Sequence, residues 1–181
     1  MAALEQRGLA ANTLVIFTND NGGEWLSRNE PLRNRKTTLW EGGLRVPLIL
    51  RWPGVLPANA VSRQVALTMD LTATILGVAG AAVPASHKLD GIDLLPTLSG
   101  RAPLVDRTVF WRRLRPSLQR ATRSGQWKLV QDGVNFYLFD VAADPAERND
   151  LTAAHPEIVR KLKLAIDSWE KDVDGPNTEV R

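Results

Sequence analysis

TLVIFTNDNGGEWLSRNEPLRNRKTTLWEGGLRVP, residues Thr13–Pro47, is the stretch that decides the fold. An apolar, β-branched run from Thr13 to Thr18 ends abruptly in Asn19-Asp20-Asn21 and two glycines. Consecutive apolar residues predict a strand buried on both faces, which is typical of a central strand in a helix-covered, largely parallel sheet. In such sheets ligands gather at the carboxyl ends of the strands, where Asp20 and Asn21 lie.

The polar residues after this strand have the chemistry of a cation site. Asp20 and Asn21 carry side-chain oxygens, which Ca²⁺ and Mg²⁺ prefer, and the glycines that follow allow close approach of the backbone. An Asn-Gly pair after a strand is by itself more often only a turn. The chain adds Lys36 and then a second glycine turn, WEGGLRVP at Trp40–Pro47. The two groups in this order favour a binding site over a plain turn.

This ordered combination resembles the sulfatase family, the formylglycine-dependent sulfuric ester hydrolases of the alkaline phosphatase superfamily. The resemblance continues through most of the chain. It is carried by LILRWPG, MDLTATIL, LDGIDLLP, RATRSGQWKLV, FYLFD and DPAERNDL, which occupy Leu48–Gly54, Met69–Leu76, Leu89–Pro96, Arg120–Val130, Phe136–Asp140 and Asp144–Leu151.

The resemblance implies a role for each residue of the two glycine motifs. Asp20 and Asn21 match ligands of a divalent cation, Ca²⁺ rather than Mg²⁺. Lys36 matches a catalytic lysine that binds the sulfate group of a sulfate ester substrate, a role that suits a compact cation with several donors. Arg45 either braces the site or forms a salt bridge within the scaffold. The residues expected to be structural near the site are Gly22, Gly23, Glu41, Gly42, Gly43 and Arg45.

The sequence also departs from the family pattern. Sulfatases carry a Cys or Ser in a C/S-x-P-x-R segment that becomes formylglycine, but this chain has no cysteine, and its nearest look-alike, LRPSL at Leu114–Leu118, has neither the modified residue nor the arginine. No aspartate precedes Thr13. The resemblance therefore implies half of a metal and sulfate site, with the formylglycine residue expected only in a missing N-terminal part and the isolated chain almost inactive.

Two alternatives to a sulfatase segment stay open at this point. The substrate could be a phosphate or phosphonate ester, since the superfamily's members differ in the nucleophile segment. The chain could also be a non-catalytic module that self-associates or assembles with a complementing N-terminal segment, because an unpaired strand edge and apolar faces favour association.

The composition bears on nucleic-acid binding, membrane insertion and compartment. The 181 residues are 44% hydrophobic with a net charge of +3 and no basic block, so no nucleic-acid partner is expected. The longest apolar run, Leu71–Val83, is shorter than the roughly 20 residues that cross a bilayer, so no membrane span is expected. The compartment is unknown: periplasmic or secreted if a signal peptide was lost with the N-terminus, otherwise cytoplasmic.

The expected fold class is α/β. Residues 1–105 are expected to form the C-terminal portion of an alkaline-phosphatase-like α/β sandwich, with Asp70 as the N-cap of a helix. Residues 106–181 are expected to form a small four-stranded antiparallel sheet. Glycine-containing turns near Gly125 and Gly133 join its strands, and its arginines and lysines alternate on an exposed face. A C-terminal helix beginning at Pro156 is expected to pack on this sheet.

Overall fold

The computed structural model describes residues 1–175. In chain order its elements are helix α1 (Ala2–Gln6), a 3-10 turn (Ala10–Asn12), strand β1 (Val15–Thr18), helix α2 (Glu41–Leu44), strand β2 (Leu48–Arg51), helices α3 (Thr68–Val78) and α4 (Leu95–Leu98), strands β3 (Thr108–Arg113), β4 (Gln119–Ser124), β5 (Trp127–Asp132) and β6 (Asn135–Asp140), and helix α5 (Pro156–Asp174). No helix within this described part is long and apolar enough to cross a membrane.

The chain divides into two compact units. The first consists of residues 1–20 and 47–105, and the second consists of residues 21–46 and the chain from 106 onward. The second unit thus includes the segment 21–46, whose apolar residues Leu39 and Trp40 pack with residues of the C-terminal sheet. The expected domain division after residue 105 stays a prediction.

In the first unit, β1 and β2 pair antiparallel, with Val15 opposite Arg51 and Phe17 opposite Ile49. The expectation of a parallel sheet around β1 is therefore wrong for the part of the chain that is described. Phe17 and Ile49 are 57% and 58% exposed, so this strand is not buried on both faces either. A short apolar run specifies neither the direction of a strand nor the burial of both its faces, because both depend on the segments that lie beside it.

Helix α3 begins three residues before the position expected from the sequence. Its N-cap is Leu67, so Asp70 is the third helical residue and not the N-cap. The side chain of Asp70 is fully buried; its Oδ2 accepts a hydrogen bond from the Leu67 N–H at 2.6 Å and its Oδ1 accepts one from the Ile92 N–H at 2.9 Å. Asp70, in the first turn of the helix, thus accepts a hydrogen bond from the backbone N–H of the N-cap residue, which has no partner within the helix.

The second unit is built on the sheet β3-β4-β5-β6, in which each strand pairs antiparallel with the next. Two-residue loops join β4 to β5 and β5 to β6, and each places its glycine, Gly125 or Gly133, at positive φ (58° and 59°). These are the conformations that tight hairpins require of their first loop residue. The four strands and the glycine turns predicted from the sequence are confirmed.

Helix α5 begins at Pro156, as predicted, and packs on one face of this sheet. Leu162 is buried together with Leu129 and Leu138, while Trp169 stacks on Phe110 with ring centroids 5.3 Å apart. Leu164 also lies in the predicted apolar set but is exposed, because it points away from the sheet. The expected fold class, an α/β part followed by a four-stranded antiparallel sheet with a packed helix, is confirmed.

The other face of the sheet is buried as well. Leu39 and Trp40, from the segment before α2, form a core cluster with Ala121, Val130 and Phe139. The prediction of an exposed face with alternating cations is therefore wrong: Lys128 on β5 is fully buried. The segment 21–46 covers this face, and it carries the glycine motifs that the sequence singled out.

Candidate functional site

The two glycine motifs lie side by side in the second unit. The Gly22 N–H donates to the Gly43 carbonyl at 2.9 Å, and the Lys36 N–H donates to the Gly23 carbonyl at 3.0 Å. The backbone after the first strand is therefore hydrogen-bonded both to the α2 turn and to the residue expected to bind sulfate. Segments that lie some 20 residues apart along the chain form one local structure.

These contacts leave no room for side chains at the glycines. A Cβ built on Gly22 would overlap the Gly42 carbonyl oxygen, and one built on Gly42 would overlap the carbonyl oxygens of Arg33 and Asn34. The overlapping atoms belong to the backbone, so a rotamer change cannot relieve the clash. Glycine is required here because two backbone segments approach closely.

A short loop leaves this structure at Gly23 and is fixed by Asn29. The Asn29 Oδ1 accepts from the Gly23 N–H and the Asn29 Nδ2 donates to the Gly23 carbonyl, both at 3.0 Å. The same amide nitrogen lies 3.3 Å from the Asn34 carbonyl. The Gly23 carbonyl thus accepts hydrogen bonds from both the Asn29 side chain and the Lys36 backbone N–H. The same residue therefore holds the loop and positions the backbone of Lys36.

The predicted polar site residues are accessible. Asp20, the last residue of the first unit, is exposed; Asn21, the first residue of the second, is half-buried; and Lys36 is exposed. The Lys36 ammonium has no carboxylate partner among residues 1–175, whereas the Arg45 guanidinium lies 3.6 Å from Glu41 Oε2. No group of three His, Asp or Glu side chains able to hold a metal occurs in the described chain.

Glu41 belongs to a buried ionic cluster that sequence analysis missed. Its Oε1 lies 2.8 Å from Lys128 Nζ, and the same ammonium lies 2.9 Å from Glu147 Oε1. The other oxygen of Glu147 accepts a hydrogen bond from the Glu41 N–H at 2.7 Å, at the start of α2. These contacts would give Glu41 the structural role expected for it, since the cluster joins the glycine turn to β5 and to the loop before α5.

The electrostatics of this cluster follow from burial. Burial raises the pKa of Glu147 above its ordinary value, and the charge of the neighbouring Glu41 carboxylate adds to that rise. The Lys128 ammonium and the Glu41 backbone N–H oppose it. Arg33 also connects the loop that carries Glu147 to Trp40. Its Nη1 donates to the Glu147 carbonyl at 3.0 Å, and its guanidinium lies 4.0 Å from the Trp40 ring centroid. The WKL and DPAE motifs contained both missed residues, but nothing in the sequence pattern pairs them with Glu41.

The chain is similar to sulfatases in sequence and in fold. A family model described as Sulfatase matches residues 1–81. The N-acetylgalactosamine-6-sulfatase of Canis lupus familiaris is 32% identical over 199 residues, which cover 90% of this chain and 38% of that protein. Arylsulfatase A of Bos taurus is 37% identical over 175 residues, covering 90% of this chain and 34% of that protein.

The solved structures agree with the sequence matches. The crystal structure of Ps i-CgsB in complex with k-i-k-neocarrahexaose superposes with a TM-score of 0.85 at 29% identity, over 93% of this chain and 38% of that one. The chain therefore spans a little over a third of the length of the relatives it matches. The resemblance carried by the sequence motifs is confirmed, and the chain is related to the sulfatase family over most of its own length.

Proposed function

We propose that this chain supplies the lysine and the oxygen ligands of a sulfate-ester hydrolase site. The observation that carries the proposal is the pair of hydrogen bonds, Gly22 N–H to the Gly43 carbonyl and Lys36 N–H to the Gly23 carbonyl, that unites the two glycine motifs. Relationship to enzymes named sulfatases supports the reaction class. One relative is named for N-acetylgalactosamine and another, the steryl-sulfatase of Rattus norvegicus, for a steryl group, so the alcohol part of the ester stays open.

Lys36 is the residue we assign to sulfate binding. Its ammonium is exposed and has no anionic partner within residues 1–175, so it can meet a tetrahedral anion without breaking an existing ion pair. Its backbone N–H is hydrogen-bonded to the carbonyl of Gly23, two residues after Asn21 in the chain. In this role Lys36 stabilises negative charge on the sulfate oxygens, while the glycines and Glu41 keep the backbone beneath it in place.

The residues described here fit a calcium site only in part. Asp20 and Asn21 offer oxygen donors of the kind that Ca²⁺ prefers, but the ion takes six to eight oxygens, and the described residues include no cluster of three acidic or histidine ligands. Asp20 and Asn21 as metal ligands thus remain a proposal, and no step of the reaction is derived through the metal.

No C/S-x-P-x-R segment occurs in the 181 residues, so they hold no residue that matches the family's formylglycine position. We expect the purified chain to hydrolyse an aryl sulfate at a rate close to the uncatalysed one. Robust turnover that disappears in Asp20→Ala would overturn this expectation, because it would show that the chain carries a complete site.

Anion binding tests the proposal directly, without turnover. Sodium sulfate is titrated into the ¹⁵N-labelled full chain at constant ionic strength, and the backbone amide shifts of Gly22, Gly23 and Lys36 are followed. We expect saturable shifts, with affinity lowered about tenfold or more in Lys36→Ala, because a charge-assisted hydrogen bond is lost. Lys88→Ala removes an equally exposed lysine of the first unit and serves as the control. Equal affinity in the two variants would contradict the assignment of Lys36.

Two alternatives have their own tests. A phosphate or phosphonate ester hydrolase would show stronger binding of inorganic phosphate than of sulfate in the same titration.

A non-catalytic, associating module is favoured by one observation, the exposed cross-strand pair Phe17 and Ile49. Self-association would appear as a concentration-dependent elution volume in size-exclusion chromatography, abolished by Phe17→Ser with Ile49→Ser; a clean monomer would exclude it.

A further inference from the structure

The residue that follows Lys36 has a strained backbone. Thr37 adopts a φ of 71°, in the left-handed region that β-branched residues rarely enter. It is the third residue of a four-residue turn, in which the Thr38 N–H donates to the Arg35 carbonyl at 3.2 Å. Lys36 is the second residue of this turn, and glycine or asparagine is usual where the third residue has positive φ. A threonine keeps this conformation only where contacts with other segments hold it.

The contacts that hold the turn come from one cross-strand pair of the C-terminal sheet. Arg113, the last residue of β3, lies opposite Gln119, the first residue of β4. The Arg113 Nη1 donates to the Thr37 carbonyl. The buried Gln119 accepts, through its Oε1, a hydrogen bond from the Leu39 N–H at 3.0 Å. The two side chains therefore bind the backbone on both sides of Thr38.

The Arg113 guanidinium is itself held by the loop between β3 and β4. Its Nη2 donates to the Ser117 Oγ at 2.9 Å. Ser117 belongs to LRPSL, the segment that lacks the residues of the formylglycine motif, and the proposed function gives this segment no role. A planar guanidinium presents separate nitrogens to the loop and to the turn, which a single ammonium does not. The loop thus orients the side chain that holds the Thr37 carbonyl.

The turn also lies against helix α2. A Cβ built on Gly43 would overlap the carbonyl oxygens of Arg35 and Thr38, the first and last residues of the turn. The Thr38 hydroxyl donates to the same Arg35 carbonyl at 2.7 Å. The backbone that carries Lys36 is therefore in contact with α2 and, through the cross-strand pair, with the end of the sheet.

We propose that Arg113 is a positioning residue for the lysine of the proposed site. By holding the Thr37 carbonyl, it maintains the strained turn that presents Lys36, and it acts through the backbone and not on the bound anion. When this contact is lost, Thr37 is free to leave positive φ, so fewer chains hold Lys36 in the binding position. The apparent affinity for sulfate then falls with that fraction. This inference rests on the proposed function, since the turn is relevant to sulfate only through Lys36.

The test measures sulfate affinity, and hydrogen exchange of the Thr38 N–H that closes the turn, in the ¹⁵N-labelled full chain. We expect Arg113→Ala to lower the affinity about threefold to tenfold and to speed Thr38 exchange by a similar factor. Exchange at the buried Val130, in the inner strand β5, should stay unchanged. Adding Thr37→Gly to Arg113→Ala should restore the affinity to within about twofold of the native chain, because glycine adopts positive φ without support. Arg160→Ala removes an exposed arginine of α5 and serves as the control for charge.

Each result decides a different claim. An affinity loss in Arg113→Ala that Thr37→Gly does not recover would overturn the positioning role, because the arginine would then act through its own charge. Unchanged Thr38 exchange in Arg113→Ala would overturn it as well. Should Arg113→Ala not fold, Arg113→Lys takes its place in the same comparison, since it keeps the charge and loses the paired donors. If Lys36→Ala binds sulfate as well as the native chain does, the proposed function falls, while Thr38 exchange still decides whether Arg113 holds the turn.

Discussion

The ammonium of Lys128 lies 2.8 Å from the carboxylate of Glu41, although the two residues are 87 positions apart in the chain and the lysine is fully buried. Glu147 completes the cluster at 2.9 Å from the same nitrogen. Since Glu41 is the first residue of the short helix that holds Gly42 and Gly43, this buried contact connects the sheet to the backbone beneath the proposed sulfate site. The cluster therefore links the stability of the second unit to the geometry of the site.

Replacing Lys128 should lower the free energy of unfolding substantially. Lys128→Met keeps the length of the side chain but removes the cation that Glu41 and Glu147 share, so Glu41 keeps only the Arg45 guanidinium at 3.6 Å. We expect a loss of about 3–5 kcal/mol in the free energy of unfolding, measured by urea denaturation of the full chain. Lys88→Met, at an exposed lysine in the other unit, should change it by less than about 0.5 kcal/mol. Similar effects of the two substitutions would show that the cluster contributes little.

The stability of the chain should carry a pH signature from Glu147. Burial raises the pKa of this carboxyl in the folded chain, so the folded state keeps its proton to a higher pH than the unfolded state does. Unfolding then releases a proton, and the contribution of this group is full below the ordinary glutamate pKa and falls as pH rises through the raised value. The unfolding free energy of the native chain minus that of Glu147→Gln should therefore decrease between about pH 4.5 and neutrality.

Asp174 provides the matched control, because its shift has the opposite sign. Its oxygens accept two hydrogen bonds from the Arg112 guanidinium, both at 2.6 Å, and this contact lowers the pKa of Asp174. Its contribution is present above the ordinary aspartate pKa and is lost as pH falls through the lowered one. The difference between the native chain and Asp174→Asn should thus shrink toward acid. Parallel slopes for the two variants would contradict one of these assignments.

The glycine motif should not tolerate alanine. In Gly42→Ala the new Cβ would overlap the carbonyl oxygens of Arg33 and Asn34, so one of the two backbone segments has to move. We expect a loss of more than about 3 kcal/mol in unfolding free energy, or loss of the Gly22–Gly43 hydrogen bond in amide exchange. Gly80→Ala meets open space and carries only the strain of positive φ, about 1–2 kcal/mol. Equal costs would mean that the approach at Gly42 is not tight.

Local sequence signals predicted the second unit well. Its hairpins form where glycine gives the φ that a two-residue loop needs, and α5 begins at the proline expected to start it. These features depend on neighbours in sequence, so the sequence contains them. The burial of Lys128 could not be predicted in this way, because alternation along β5 places it on one face, and only the distant segment around Leu39 and Trp40 decides whether that face is covered.

The same distinction holds for the candidate site. The motifs around Gly22 and Gly42 could be paired from the sequence only through resemblance, while their contact depends on hydrogen bonds between separate segments. The direction of β1 could not be predicted for a related reason: a short apolar run does not specify the neighbouring strand, which depends on the rest of the fold. Candidate site residues could thus be named from the sequence, whereas the backbone contacts around them could not.

Asp70 offers a test of positioning in the first unit. It bonds the Leu67 N–H at the start of α3 and the Ile92 N–H in the next segment, and it is fully buried. Asp70→Ala would leave two donors without this acceptor, so we expect a loss of about 2–4 kcal/mol in unfolding free energy and faster amide hydrogen exchange at Ile92.

The control is the exposed Asp93, whose Oδ1 accepts a hydrogen bond from the Leu95 N–H at 2.9 Å. Because water can replace that bond, Asp93→Ala should cost less than about 1 kcal/mol and leave exchange at Ile92 unchanged. A small effect of Asp70→Ala, with Ile92 still protected, would mean that packing around α3 and not this carboxylate holds the two segments together.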